Sequence, residues 1–242
     1  MKVVAVSPHL DDAAFSVGGT LAVLADAGHD VTVLTCFTRS VPAPQGFALA
    51  CQIDKGLGPE VDYMAVRRLE DDAALAVLGV QQQHLDLLEA PHRGYDSAPE
   101  LFAGPRSDDL AWQDVAELLG PVGADVWLAP QALGAHVDHL QVQRAVASLA
   151  RPTAWWRDSP YVLREPDARP GPDLPAGLTT VELPLDRDRR ADACSAYTTQ
   201  LSFQFGGADA MRKALAHLPE PLLADPRALP LLTDRSDPRG HR

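Results

Sequence analysis

The sequence predicts an α/β fold, a single Rossmann-like three-layer domain with a mostly parallel sheet. Three observations carry that prediction. Val3-Val4-Ala5-Val6 and Val31 to Phe37 are continuous apolar, β-branched-rich runs of the kind buried on both faces of a parallel sheet. Between them Leu21, Val23, Leu24 and Ala27 are spaced as a helix, so a β-α-β unit with its right-handed crossover closes within about 35 residues. Apolar and helical stretches then alternate past residue 200 without an internal repeat or a second core, so one domain over residues 1–218 accounts for them.

Helix one runs from about Ala14 to Asp26, with Gly28 placed to end it. After the second strand, residues 38–63 are rich in Pro and Gly and patternless, a long loop of the kind that is functional or mobile in a compact domain. Met64 to Leu78 is a helix by the spacing of Val66, Leu69, Ala73, Ala76 and Val77, stopped by Gly79. His84 to Leu88 reads as a short third strand, and residues 91–107 as an irregular loop carrying His92, Arg93, Tyr95 and Asp96. Leu110 to Leu119 follows as a helix, Asp125 to Ala129 as a fourth strand, and His136 to Leu149 as the helix after the Pro130–Ala135 turn. Trp155-Trp156 and Tyr161-Val162-Leu163 are strand material separated by a turn at Asp158-Ser159-Pro160. Thr179 to Leu183 is a further strand, and Arg187 to Thr198 and Ala208 to Leu218 are helices. Residues 219–242 hold Pro and charge without periodicity and read as a C-terminal tail, partly disordered at its end.

Composition narrows the function classes. A net charge of -12 over 242 residues argues against nucleic acid, whose phosphates need Lys and Arg patches. Cys36, Cys51 and Cys194 cannot all pair and form no CxxC, which fits a reduced, cytoplasmic protein. No apolar run approaches the roughly 18 residues of a membrane span, and Met1 to Val6 is too short for a signal peptide, so no membrane partner is expected. A homo-oligomer is left open.

Chemistry concentrates at two strand-to-helix turns. Ser7-Pro8-His9-Leu10-Asp11-Asp12 follows the first strand, and Gly134-Ala135-His136-Val137-Asp138-His139 follows the fourth. In an open α/β sheet such turns meet at the carboxyl edge, where ligands bind. A helix N-terminus favours anions, so imidazoles crowded there with carboxylates call for a cation. Three His or carboxylate ligands with an open position make a catalytic zinc site. His136 and His139 share a helix face, so both could be ligands, or one could hold metal while the other meets substrate. Singly, each residue has a plainer use: Asp11 or Asp12 as a helix cap, Asp138 as a first-turn carboxylate. Gly18-Gly19 lacks a phosphate-loop pattern and fits close helix packing, and Cys36 fits an inert core position. Trp155-Trp156 reads as strand packing ahead of a sugar-stacking wall.

The order strand-HxDD-x5-GGT-helix-GH-strand, with a later HxDH opening a helix, resembles the LmbE/PIG-L family of zinc-dependent N-acetylglucosaminyl deacetylases. Arg67-Arg68-Leu69-Glu70 before Val77-Leu78-Gly79-Val80, and Ala196-Tyr197-Thr198-Thr199-Gln200, resemble the family's R-x-x-E...LGV and Y-x-S-Q segments. The resemblance implies His9, Asp12 and His139 as metal ligands, with Zn2+ as the ion and Fe2+ or another divalent ion compatible. It implies Asp11 as general base, and His136 as the group that stabilises the oxyanion or protonates the leaving amine, with Asp138 as its partner. Arg67 or Arg68 would be a substrate-side arginine; Tyr95 in the loop and Tyr197 in the late motif complete the candidate substrate contacts, with Glu89, His92, Arg93 and Asp96 as further loop contacts. The implied substrate is a small acetylated amino sugar or glycoside. The first motif departs from the family's HPDDE at Leu10 and Ala13, neither of which holds one of these roles. Rival readings are hydrolysis of another N-acyl group or of a non-sugar amide, and a non-catalytic binding protein that keeps the fold; a nucleotide-binding Rossmann protein is disfavoured by the missing glycine fingerprint.

Overall fold

The computed structural model describes residues 1–233. Seven strands form one sheet: β1 (Lys2–Ser7), β2 (Asp30–Thr35), β3 (Gln81–His84), β4 (Val126–Pro130), β5 (Thr153–Trp156), β6 (Thr179–Val181) and β7 (Leu222–Ala224), in the order β3-β2-β1-β4-β5-β7-β6. The first five are parallel, and β7 runs antiparallel between β5 and β6. The chain builds outward from β1 through β2 to β3, then returns to lay β4 and β5 on the other side. Strands β1 and β4 are therefore neighbours at the point where the winding reverses, where a crevice opens at the carboxyl edge.

Helices cover both faces. Successive β1 side chains serve opposite sides: Val3 and Ala5 join the core under α1 (Asp12–Asp26) and α3 (Tyr63–Leu78), while Val4 and Val6 join the core under α4 (Ala111–Leu119) and α5 (Val137–Ser148). Helices α7 (Arg187–Cys194) and α9 (Ala208–Ala216) extend the first layer. Close packing, as expected, requires glycine at residue 19, while residue 18 would meet only an ordinary contact. A Cβ on Gly19 would stand 2.9 Å from the Asp186 carbonyl oxygen, and one on Gly18 would stand 3.4 Å from Arg190 Cγ.

Before residue 219 the elements differ from the sequence reading chiefly in four places. The 38–63 loop contains helix α2 (Gly46–Asp54), whose only buried residues are Ala48 and Gln52, so its apolar stripe is too thin to signal a helix. Strand β3 lies earlier than expected because Gln81-Gln82-Gln83-His84 forms the sheet edge, where polar side chains are tolerated. Tyr161–Arg164 is a single helical turn, α6, rather than a strand, with only Val162 buried in it. The helix expected through Thr198 ends at Cys194 and a new one, α8 (Thr198–Phe205), begins.

The segment after residue 218 also departs from the expected tail. Residues 222–224 form β7 inside the sheet, and α10 (Ala228–Thr233) follows. Glu220 is buried, accepts hydrogen bonds from the Gly19 and Thr20 amides at 3.0 and 2.7 Å, and pairs with buried Arg190 at 2.7 Å. The expected disorder falls on residues 234–242, outside the described residues.

Candidate active site

Three turns at the carboxyl edge of adjacent strands build the site: residues 8–11 after β1, 131–136 after β4, and 157–160 after β5. The first two were expected; the third contributes Asp158. Asp11 stands at the N-terminus of α1 with φ 151° and ψ -31°. A side-chain-bearing residue held so costs about 1–3 kcal/mol, and such strain gathers at working sites.

His9, Asp12 and His139 converge. Asp12 Oδ2 lies 3.2 Å from His9 Nδ1 and 3.2 Å from His139 Nε2. The far nitrogen of each ring is committed elsewhere: His9 Nε2 to Asp138 Oδ2 at 2.9 Å, and His139 Nδ1 to Asp158 Oδ1 at 2.7 Å. A carboxylate accepts hydrogen bonds, so each far nitrogen carries a proton, and in the neutral ring each near nitrogen would point a lone pair at Asp12. His139 Nε2 is buried and has no hydrogen-bond partner. Three acceptor atoms facing one another need a cation between them, and two imidazoles with one carboxylate are a donor set that suits a divalent transition metal. The same demand for positive charge holds both imidazoles protonated without it. For His9, burial alone would lower the pKa, but Asp12 and Asp138 raise it well above the usual value. For His139, burial is likewise outweighed, by Asp12 and then Asp158, and the ring is raised to about 9. A second group, His9, His136 and Asp138, also lies within ligand reach. Its atoms are already paired with one another and with Arg93 and Ala90, so it fits an ion less well.

Asp11 and His136 flank this cradle. Burial raises the Asp11 carboxyl to about 8, and the Arg67 guanidinium, 3.6 Å away, pulls the other way. A cation at the neighbouring atoms would lower it further. The His136 Nδ1 accepts the Asp138 amide at 3.2 Å, which leaves its Nε2 as the donor. Burial pushes this imidazole down to about 3, so His136 sits neutral near pH 7. Both residues line one cavity of about 420 Å³, as do His9, Asp12, Arg67 and Asp138.

Comparison with known proteins decides what this arrangement belongs to. Residues 4–150 match the family described as PIG-L: GlcNAc-PI de-N-acetylase. The chain belongs to the PIG-L family. A 2'-N-acetylparomamine deacetylase of Streptomyces fradiae is 37% identical over 165 residues, 64% of this chain and 56% of that one. The match thus spans little more than half of that relative. A 1D-myo-inositol 2-acetamido-2-deoxy-alpha-D-glucopyranoside deacetylase of Corynebacterium glutamicum is 38% identical over 85 residues, 35% of this chain and 28% of that one. Among solved structures, the A40926 pseudoaglycone deacetylase Dbv21 superposes with TM-score 0.73 at 30% identity, covering 92% of this chain and 96% of that one. The zinc inhibited form of teicoplanin deacetylase Orf2 gives 0.74 at 24% identity, over 93% and 99%, a likeness of fold.

The segments that resemble the family's R-x-x-E and Y-x-S-Q motifs have structural uses. Glu70 of α3 accepts from the Thr198 and Thr199 hydroxyls at 2.6 and 2.7 Å and from the Thr199 amide at 2.8 Å, fastening the start of α8. Tyr197 is fully buried, and its hydroxyl donates to Asp71 at 2.7 Å, so it does not face the cavity. Tyr95 is also buried, donating to Asp109 at 2.9 Å. Arg68 reaches the Thr38 carbonyl and Ser40 hydroxyl at 2.6 and 3.0 Å and is absent from the cavity lining. These three were expected as substrate contacts and instead bind neighbouring chain segments. Arg67 does line the cavity, although its guanidinium is held by Glu89 at 2.7 Å and the Leu10 carbonyl at 3.1 Å. Glu89 lines the cavity as well, whereas His92, Arg93 and Asp96 do not.

Asp138 is redirected too. Its carboxylate does not pair with His136 but accepts from His9 Nε2, the Ala90 amide at 3.1 Å and Arg93 Nη2 at 2.7 Å. From the first turn of α5 it reaches across to the β1 turn. Burial would raise its pKa, but Arg93 and then His9 hold it far below the usual carboxylate range. Asp158 is a support that sequence reading missed, signalled at most by the Asp-Ser-Pro turn after a strand, and Arg93, expected as a loop contact to substrate, is a second support. Tyr161 was missed as well. Its ring lies on Gly134, where a Cβ would come within 2.5 Å of it, and stands edge-on to His139 with centroids 5.3 Å apart. Trp155 and Trp156 are buried sheet residues and not a sugar wall. Among the described residues no helix is long and apolar enough to cross a membrane.

Proposed function

We propose that this chain hydrolyses the acetamide of an N-acetylated amino sugar or related small glycoside, releasing acetate and a free amine. The observation that carries the reading is the inward-facing His9, Asp12 and His139 triad, with a strained carboxyl at Asp11 and a neutral imidazole donor at His136 on the wall of the same cavity. His9, Asp12 and His139 would hold the ion, which we take to be Zn2+ with Fe2+ as the alternative. Bound there, such an ion supplies Lewis acidity that polarises the amide carbonyl and acidifies the hydrolytic water.

The chain's own groups perform the proton chemistry. Asp11 takes the proton of the attacking water and returns it to the leaving nitrogen as the C–N bond breaks; a base needs hydrogen-bond reach and a pKa near the working pH, and burial against Arg67 tunes this carboxyl toward that range. His136 offers Nε2–H to the oxygen that becomes negative in the tetrahedral transition state, a task that a neutral imidazole can do. Arg67, fixed by Glu89 and the Leu10 carbonyl, keeps a permanent positive charge beside Asp11 and so favours its ionised form. Asp138 and Asp158 orient the two ligand imidazoles from behind, the usual arrangement for metal-binding His. The relatives named as deacetylases of N-acetylated amino sugars support the reaction class. Acetate release from N-acetylglucosaminides by metal-loaded protein tests it; metal-loaded protein that leaves every acetamide intact would refute it, and release of longer acyl chains alone would move the reading to another N-acyl group.

A further inference from the structure

Outward from the carboxylate and imidazole floor, the cavity wall changes character. Its lip is built by Phe47 and Ala50 of α2, by Leu101 and Phe102 of the short 3-10 turn Pro99–Phe102, and by Phe203 of α8. Phe102 and Phe203 remain 45% and 54% exposed, on a chain whose other phenylalanines are mostly withdrawn from solvent. The lip is continuous with the site, because the Phe102 ring stands edge-on to His136 at 5.4 Å and to Tyr161 at 6.2 Å. It also carries cations. Lys55 Nζ sits 3.6 Å from the centroid of Phe203, and Arg164 donates to the carbonyl and the side-chain oxygen of Gln204 at 2.9 Å. Carboxylates share this lining: Asp54, more exposed than Lys55 and 3.5 Å from it, and Glu89.

We propose that the substrate's aglycone is an apolar or aromatic group lying across Phe102 and Phe203. The inference rests on the N-deacetylase reading of the same cavity. Exposed aromatic faces rimming a polar site mark a surface that gains by being covered, and aromatic partners add a stacking term beyond simple burial. The cavity, about 420 Å³, falls within the roughly 300–1,000 Å³ that receives a drug-sized ligand, room for a sugar plus a ring system.

Three acetamides test this on metal-loaded protein: an aryl 2-acetamido-2-deoxyglucoside, free N-acetylglucosamine and an N-acetylated aminocyclitol glycoside. The aryl glycoside is expected to lead the others by at least about tenfold in kcat/KM, mainly through KM. In the double variant Phe102→Ala/Phe203→Ala that ratio should fall toward one. Equal kcat/KM for all three, or a lead for the cationic glycoside, overturns the proposal while leaving N-deacetylation intact. Binding of the aryl glycoside to chelator-treated protein provides the separate arm. Binding that weakens about tenfold in the double variant supports the rim even if no acetamide is cleaved, in which case the deacetylase reading alone fails. Binding indifferent to both substitutions overturns the rim.

Discussion

Asp158→Asn probes the metal cradle without touching a ligand. The carboxylate is 1% exposed and uses both oxygens, Oδ1 for His139 Nδ1 at 2.7 Å and Oδ2 for the Leu133 amide at 3.0 Å. Asparagine has one acceptor oxygen. If that oxygen keeps Leu133, the new amide NH2 faces His139 Nδ1, and the imidazole must move its proton to Nε2, the atom that points at Asp12. If it keeps His139, the Leu133 amide is stranded, and in either case the negative charge behind the ring is lost. Substitution of a group orienting a metal-binding His lowers affinity about 10–100-fold, or about 1.4–2.7 kcal/mol. Competition against a chromophoric chelator measures this directly. Thermal unfolding measures it again, since at a fixed ion concentration well above Kd the metal's stabilisation should shrink by the same 1.4–2.7 kcal/mol. Unchanged affinity in a folded Asp158→Asn protein would refute the claim that this carboxylate aims the His139 lone pair.

Other substitutions reach separate parts of the account. Asp11→Asn should keep its metal and lose at least about a hundredfold in turnover, and near-full activity would remove Asp11 from the base role. His139→Ala should abolish stoichiometric metal binding, read by metal analysis after gel filtration. Gly134→Ala adds a Cβ 2.5 Å from Tyr161 at a residue with φ +83°, and should cost about 1–3 kcal/mol in denaturant titration. Glu220→Ala leaves Arg190 buried without its carboxylate and should cost about 3–5 kcal/mol; a stability unchanged by it would mean that the residues after 218 do not complete the sheet.

The parts of the fold written by periodicity were legible. Val3 to Val6 and Val31 to Phe37 read as buried parallel strands because both faces of those strands carry apolar side chains. The convergence of His9, Asp12 and His139 was legible because they cluster in sequence at strand ends, which topology brings together. What stayed hidden depends on long-range pairing. Gln81 to His84 is a strand only because β2 offers it a hydrogen-bonding edge, and Leu222 to Ala224 only because β5 leaves an edge to fill. Side-chain direction was hidden as well. Nothing in HVDH says that Asp138 turns toward His9 and Arg93 rather than His136, or that the Tyr95 and Tyr197 hydroxyls face Asp109 and Asp71.

The central claim is that His9, Asp12 and His139 hold a divalent ion on which acetamide hydrolysis depends. The direct measurement is metal content and acetate release of one preparation as purified, after chelation, and after reconstitution with Zn2+ or Fe2+. The account predicts about one ion per chain, with hydrolysis lost on chelation and restored on reconstitution. Full hydrolysis by the metal-stripped protein, or failure to take up any divalent ion, would contradict it.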